Sequence, residues 1–357
     1  MAMKNRHKNW NIAILLASLV IPLLVIGINY FMDPLWCFAI SHKYNQFQDP
    51  FNERIQKTNY LTFRDRKYHA VLIGTSRSTC INQYSFKGIS VFNYSCNGLT
   101  LPEYAEYLKY AKKRSGNAIR HIFIGLDFRQ TMGKFKVRPS IKPVDNVEST
   151  DPNLIISRAN SPLYRLKSLL SVDTLKYSLR NYNYYRRGNS YYYTRDNVKI
   201  HTRYSRKVLD DIIAFYLDYF DKSVYPRYKY DETYVAALKK IRDENPDTTI
   251  IVYTTPESGP LMKIFIKHDL LEYYFRWLSD IVAVFGGCYH FMYPNIVTRN
   301  YHDYYHDAVH TNPEVGDMIA DVIYNNKPHA DLNFGIYIDK NNFASRKNYL
   351  KELFRKL

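Results

Sequence analysis

The stretch "VLIGTSRSTC", Val71–Cys80, decides how the chain is read. Its apolar start reads as a buried strand, and the Gly-Thr-Ser after it as a tight turn into a helix. Ser76 then has two readings. It is the cap of that helix, a position its side chain suits. Or it is a nucleophile held at a strand end, where backbone N–H groups at the helix start stabilise an oxyanion.

Outward from this stretch the same rhythm repeats. His69–Ser76 is followed by a second strand, Ile89–Cys96, and a third, Ile119–Phe128. Between the second and third, "LPEYAEYLKYAKKRSG" reads as a helix opened by Pro102 and closed by Gly116. The rhythm breaks from about 130 to 230, an insertion with helices of its own. It resumes with a helix capped by Asp231, a strand at Thr248–Pro256 and a long helix over about 260–285. "CYHFMYP" is the last strand and "PEVGDMIADVIYN" the last helix of the domain. Strands alternating with helices predict an α/β fold, a flavodoxin-like parallel sheet with helices on both faces. Ligands of such sheets bind beyond the C-terminal strand ends, where Ser76, Asn97 and Asp127 fall.

Ahead of this domain, Ile12–Met32 contains no Asp, Glu, Lys or Arg. Its 21 residues span about 31 Å as a helix, enough for a bilayer core. Trp10 and Tyr30 sit near its ends as interface aromatics do, and Pro22 is tolerated within such a helix. The run is long for a cleaved signal peptide and no A-x-A site follows, which favours a retained anchor. Lys4, Arg6 and Lys8 precede it, so the N-terminus is expected in the cytoplasm and the rest of the chain outside. The expected organisation is a basic N-terminus with anchor (1–33), a connector (34–66), a catalytic domain (67–330) and a basic amphipathic tail (331–357). In the tail Leu350, Leu353, Phe354 and Leu357 share one face, suited to docking on the domain or to a membrane surface.

Composition narrows the partners. Fifty Lys and Arg against 33 Asp and Glu give a formal charge of +17, which favours anionic polymers and lipid headgroups. No helix-turn-helix, zinc-finger or RNA-binding signature is present, so no nucleic-acid partner is expected. The 35 tyrosines cluster with arginine between Tyr177 and Tyr204. That mixture suits sugar rings and anionic groups, and equally an insertion whose rings pack on its own domain. Cys37, Cys80, Cys96 and Cys288 form no C-x-x-C pair, so no zinc or thioredoxin-like site is expected. Cys80 and Cys96 follow successive strands, which leaves a disulfide between them open. His302, His306 and His310 are spaced for one helix face, but Pro313 argues for a loop, and no metal or cofactor is expected.

Late in the chain "DAVH" pairs Asp307 with His310. A histidine oriented by a carboxylate is what a serine nucleophile needs: the imidazole takes the hydroxyl proton and the carboxylate fixes its tautomer. An overlapping pair, Asp303 and His306, has the same spacing, but Asp307 and His310, followed by Pro313 and Gly316, resemble the last sequence block of the SGNH hydrolase superfamily.

With these motifs in order, the chain resembles the SGNH (GDSL-type) hydrolase superfamily, over roughly residues 67–130 and 245–325. The Gly-x-Ser turn is matched by Gly74–Ser76, the oxyanion glycine by Gly98 with Asn97 beside it, and the last block by Asp307 and His310. Where the superfamily has Gly-x-Asn after the third strand, this chain has Gly125-Leu126-Asp127. The resemblance implies a triad of Ser76, His310 and Asp307, and an oxyanion hole from Gly98, Asn97 and position 127. Asp127 departs from the pattern, because a carboxylate there repels an oxyanion unless it is protonated or turned away, for instance to hold Arg77. Arg77 either binds an anionic group of the substrate or pairs with an acid.

An anchored outward domain also resembles the envelope-acting branch, the teichoic-acid D-alanylation proteins and polysaccharide O-acetyltransferases. These imply a cell-envelope glycan substrate and a multi-pass membrane acyltransferase partner. The expectation is a serine O-acyltransferase or esterase. The rival expectation is a non-catalytic assembly or glycan-binding protein on the same fold.

Overall fold

The computed structural model describes residues 2–116, 118–132 and 151–357; side chains of 2–9, 12, 13, 15 and 17 are outside that set. The first part of the expected insertion, 133–150, therefore lies outside the described residues. The chain forms two compact units, residues 1–65 with 153–197, and residues 66–152 with 198–357.

The second unit is a mixed α/β domain around a six-stranded sheet. Its strands are β1 (Ala70–Ile73), β2 (Val91–Asn93), β3 (His121–Leu126), β4 (Thr249–Thr254), β5 (Gly287–His290) and β6 (Ile336–Asp339). They lie in the order β2-β1-β3-β4-β5-β6, the first five parallel and β6 antiparallel to β5. Ala70 pairs with both Val91 and His121, and Ile122 with Ile250. The chain reverses direction across the sheet between β1 and β3, the switch point at which doubly wound sheets leave a crevice. On one face Ala70, Leu72, Phe123 and Tyr253 pack with Val315, Ile319 and Ile323 of the Pro313–Ile323 helix, all buried. Each such side chain contributes about 1.5–3 kcal/mol by leaving water. The Leu101–Arg114 helix begins at Thr100, whose backbone N–H and hydroxyl both donate to Glu103 at 2.8 Å.

Three expectations are corrected here. The long helix expected over 260–285 is two, Gly259–Lys267 and Leu271–Phe285, broken at Asp269 with φ 55°. Asp231 does not cap the Tyr234–Asp243 helix; its carboxylate accepts from the backbone and hydroxyl of Thr233 in the turn before it. Residues 331–357 are not a separate tail: Ile336–Asp339 extends the sheet, and the Phe343–Arg355 helix buries Leu350 and Phe354.

The first unit joins the N-terminal helix and the connector to residues 153–197, the middle of the insertion. Its core centres on Trp36, with Tyr60 and Tyr193 edge-on to it at 5.9 and 5.7 Å. Arg195 is buried against Asp33 and donates to the carbonyls of Asp33, Phe38 and Ile40 at 2.9–3.1 Å. Tyr177 stacks on Phe51, and Tyr192 packs tilted against Phe47 with centroids at 4.5 Å. Much of the Tyr/Arg-rich run thus packs internally. The unit also holds the helix Ala2–Met32. Among the described residues no helix is long and apolar enough to cross a membrane.

Candidate active site

Ser76 lies three residues beyond β1 and is half-buried among buried neighbours. The α-helix expected after it is absent; a single 3-10 turn, Ser78–Cys80, follows instead. Ser76 does not cap that turn, whose N-cap is Arg77 with no side-chain cap bond. Its Oγ lies 2.8 Å from His310 Nε2. The turn is held by Ser78 N–H to Thr75 O at 3.0 Å and by Thr79 Oγ1 to Ser76 O at 2.5 Å. Lys199, buried in the short strand Lys199–His201, donates to Thr79 Oγ1 at 2.7 Å. Glycine is needed on both sides of Ser78: a Cβ at Gly74 or Gly125 would stand 2.2 Å from Ser78 Oγ. Tyr253 donates to that same oxygen at 2.8 Å.

His310 comes from the loop before the Pro313–Ile323 helix. Its Nδ1 is 2.7 Å from Asp307 Oδ2, while Asp307 Oδ1 accepts from the backbone N–H groups of Val309 and His310, both at 2.7 Å. Burial alone raises the Asp307 pKa. The charge and hydrogen bond of His310 and the two backbone donors outweigh it and hold the carboxyl well below the usual carboxylate range. Ser76, His310 and Asp307 are thus one hydrogen-bonded chain, Oγ to Nε2 and Nδ1 to carboxylate.

Comparison with known proteins found no matching family model, no matching curated protein and no matching solved structure.

The loop after β2 runs beside the Gly74 turn, with Cys96 N–H donating to Gly74 O at 3.2 Å. Asn97 and Gly98 beyond it are exposed, and Gly98 has φ 60°. Asp127 follows β3 but is turned away from solvent. Its two oxygens accept hydroxyl protons from Thr75 and, at 2.6 Å, from Thr255. A carboxylate engaged in this way is a buried acceptor and not an exposed donor at the Asn position. Arg77 is likewise buried, paired with Glu257 at 2.7 Å, which corrects the substrate-binding reading in favour of the acid-pairing one. Burial works against its charge, yet Glu257 and Asp127 keep the guanidinium above its ordinary pKa.

His306 does not reach Ser76; its ring contacts His201 and Tyr204, with centroids at 4.2 and 4.6 Å. His302 pairs with Asp210 at 2.7 Å. All four cysteines are buried and none is in a disulfide, so Cys80 and Cys96 are not bridged. Among the described residues no His, Cys, Asp or Glu group is arranged to hold a metal. His290 is buried in the core, with Thr254 Oγ1 2.8 Å from its Nδ1 and Tyr274 OH 2.5 Å from its Nε2. Burial pushes its pKa down to about 3.

Sequence reasoning missed Glu257, Thr255 and Lys199. No motif marks them; only the fold brings β4's end and the 199–201 strand to the nucleophile turn.

Proposed function

We propose that the protein is a membrane-anchored serine O-acyltransferase or esterase of SGNH type, acting outside the cytoplasm on a cell-envelope polysaccharide. The observation that carries this reading is the Ser76–His310–Asp307 hydrogen-bond chain, whose two links are 2.8 and 2.7 Å. Ser76 Oγ attacks the carbonyl carbon of an acyl donor while His310 Nε2 takes the hydroxyl proton. The Oγ–acyl bond forms, the bond to the leaving group breaks, and His310 returns the proton to that group. In the second half an acceptor hydroxyl, from the glycan or from water, gives its proton to His310 and attacks the acyl carbon. Ser76 then leaves with the proton restored. Asp307 holds Nδ1–H and balances the imidazolium; general base work of this kind supplies about 10²–10⁴-fold. Backbone N–H groups of Ser76 and Gly98, with Asn97 beside them, are the oxyanion donors in this reading.

The anchor reading is supported by the Ala2–Met32 helix. Leu19, Val20, Ile21, Leu23 and Leu24 are all exposed, so over 19–24 no stripe of this helix is set aside for a protein core. A helix apolar all round suits lipid. The +17 charge suits an anionic envelope polymer, and the superfamily resemblance supplies the multi-pass acyltransferase as a partner.

The test is labelling of the full-length protein with a fluorophosphonate, together with glycan acylation in cells carrying Ser76→Ala. Labelling is expected at Ser76 and lost in the variant, whose thermal midpoint stays near that of the wild type. A folded wild-type protein that takes no label, with glycan acylation unchanged in Ser76→Ala cells, overturns the proposal.

A further inference from the structure

We infer that the Tyr164–Leu170 helix and the start of the Val172–Arg187 helix form a collar seated in the outer lipid leaflet around the anchor. The inference rests on reading Ala2–Met32 as a membrane anchor.

The attachment point is Asn29, a polar residue near the end of the uncharged run Ile12–Met32. It is buried, and its side-chain amide donates to Leu169 O at 2.8 Å and to Ser171 O at 3.0 Å. Its carbonyl oxygen accepts from Ser178 Oγ at 3.0 Å. These bonds clamp the junction of the two helices onto the anchor. Only one face of the anchor is covered there: Asn29 and Met32 are buried and Val25 and Ile26 half-buried, while Ile28, Tyr30 and Phe31 remain exposed.

Depth follows from the helix rise. Asn29 precedes Asp33, the first charge after the apolar run, by four residues, or about 6 Å of axis. That lies within the ~5–10 Å to which interfacial helices bury their apolar faces. Leu163, Leu166 and Leu170 stand at i, i+3 and i+7 along the short helix, on one exposed face, with Val172 just beyond. Leu163, Leu166, Leu170 and Val172 are 55%, 52%, 47% and 63% exposed. Four large apolar side chains so exposed on two adjoining helices are costly in water and natural at a membrane boundary. Lys167 is exposed on the same short helix, placed to meet headgroup phosphates.

A lipid leaflet is favoured over a protein groove by continuity. The collar's apolar surface adjoins an anchor that is exposed and apolar all round over 19–24, whereas a partner helix needs only one stripe.

The test uses the full chain in nanodiscs of phosphatidylglycerol and phosphatidylcholine whose acyl chains are brominated near the glycerol end or, in a second set that reads position 19, near mid-chain. A fluorophore is attached at Leu166→Cys, Leu170→Cys or, on the anchor itself, Leu19→Cys. The four native cysteines are buried, which directs the label to the introduced thiol. Emission from positions 166 and 170 is expected to fall to about half that in unbrominated discs, as for residues at the acyl boundary. Quenching at 19 without quenching at 166 and 170 overturns the collar and leaves the anchor. Absence of quenching at all three overturns both. Labels at 166 and 170 that escape lipid but cross-link to a membrane protein in cells make this face a protein interface, which also overturns the inference.

Discussion

At the residue scale, Arg77 shows how chemistry beside a nucleophile is held in place. It follows Ser76 directly, and its guanidinium is buried against Glu257 at 2.7 Å, with Thr255 Oγ1 at 3.5 Å. Glu257 is followed by Ser258, whose Oγ donates to Ala308 O at 2.8 Å, between Asp307 and His310. One ion pair therefore ties the serine turn to the loop that carries the histidine. Buried pairs contribute little net stability, because desolvation offsets attraction, but removing one partner costs about 3–5 kcal/mol. The two removals are not equivalent here. Arg77→Met leaves two buried carboxylates, Glu257 and Asp127, facing a neutral side chain, while Glu257→Gln leaves Arg77 with Asp127 still near. Chemical denaturation is expected to show Arg77→Met as the more destabilised single variant, and the Arg77→Met/Glu257→Gln double variant as less destabilised than the sum. Strict additivity would show that the two groups do not act as a pair.

At the element scale, the Pro313–Ile323 helix sets the distance between the two halves of the site. It enters directly after the His310 loop and crosses the Ser78–Cys80 turn at Gly316. A Cβ on Gly316 would meet Cys80 O and Ile81 Cα, both at 2.8 Å, and both are backbone atoms that cannot swing aside. Gly316→Ala gains up to ~1 kcal/mol in helix propensity. Overpacking at this crossing costs about 1–3 kcal/mol. The clash is expected to win, giving a lower melting temperature together with slower fluorophosphonate labelling, since the helix can relieve it only by moving away from the serine turn. A melting temperature raised by the substitution counts against this packing. Gly316 was legible as part of the "DAVHTNPEVG" motif, and so were all five parallel strands, whose apolar runs are bounded by turn residues. β6 was not: "GIYID" is short, lies at the sheet edge and leaves Tyr337 exposed, so it carries no buried-strand pattern. The pairing of 153–197 with the first 65 residues was also hidden, because it rests on contacts such as Asn181 to Gln48 and Tyr193 to Glu53, more than 130 positions apart. For the site, Ser76, His310 and Asp307 could be read from local motifs, whereas the Asp127–Thr75–Thr255 network depends on three strand ends meeting in space.

At the scale of the whole domain, the C-terminal helix closes the core beside β6 and the Leu271–Phe285 helix. Lys347 and Lys351 approach Glu272 at 3.6 and 3.2 Å, but exposed pairs of this kind are worth under about 1 kcal/mol. The apolar contacts decide its docking: Phe354 is buried, with its ring edge-on to Tyr274 at 5.3 Å. Tyr274 in turn bonds to His290. Phe354→Ala is expected to cost about 3–5 kcal/mol at neutral pH. The cost should also depend on pH. His290 has a folded pKa pushed down to about 3 by burial, below the ~6.5 of an unfolded histidine. The unfolded chain therefore binds the proton first, and the stability held above about pH 6.5 is lost as pH falls toward 3. Truncating Phe354 lets water approach Tyr274 and His290, weakens the desolvation and moves the folded pKa back up. Acidification then costs the variant less than the wild type. Denaturant unfolding at pH 7.5 and pH 5 should show the gap between them narrowing at the lower pH. A gap of equal size at both would mean that the C-terminal helix packs on Tyr274 without sealing His290 from solvent.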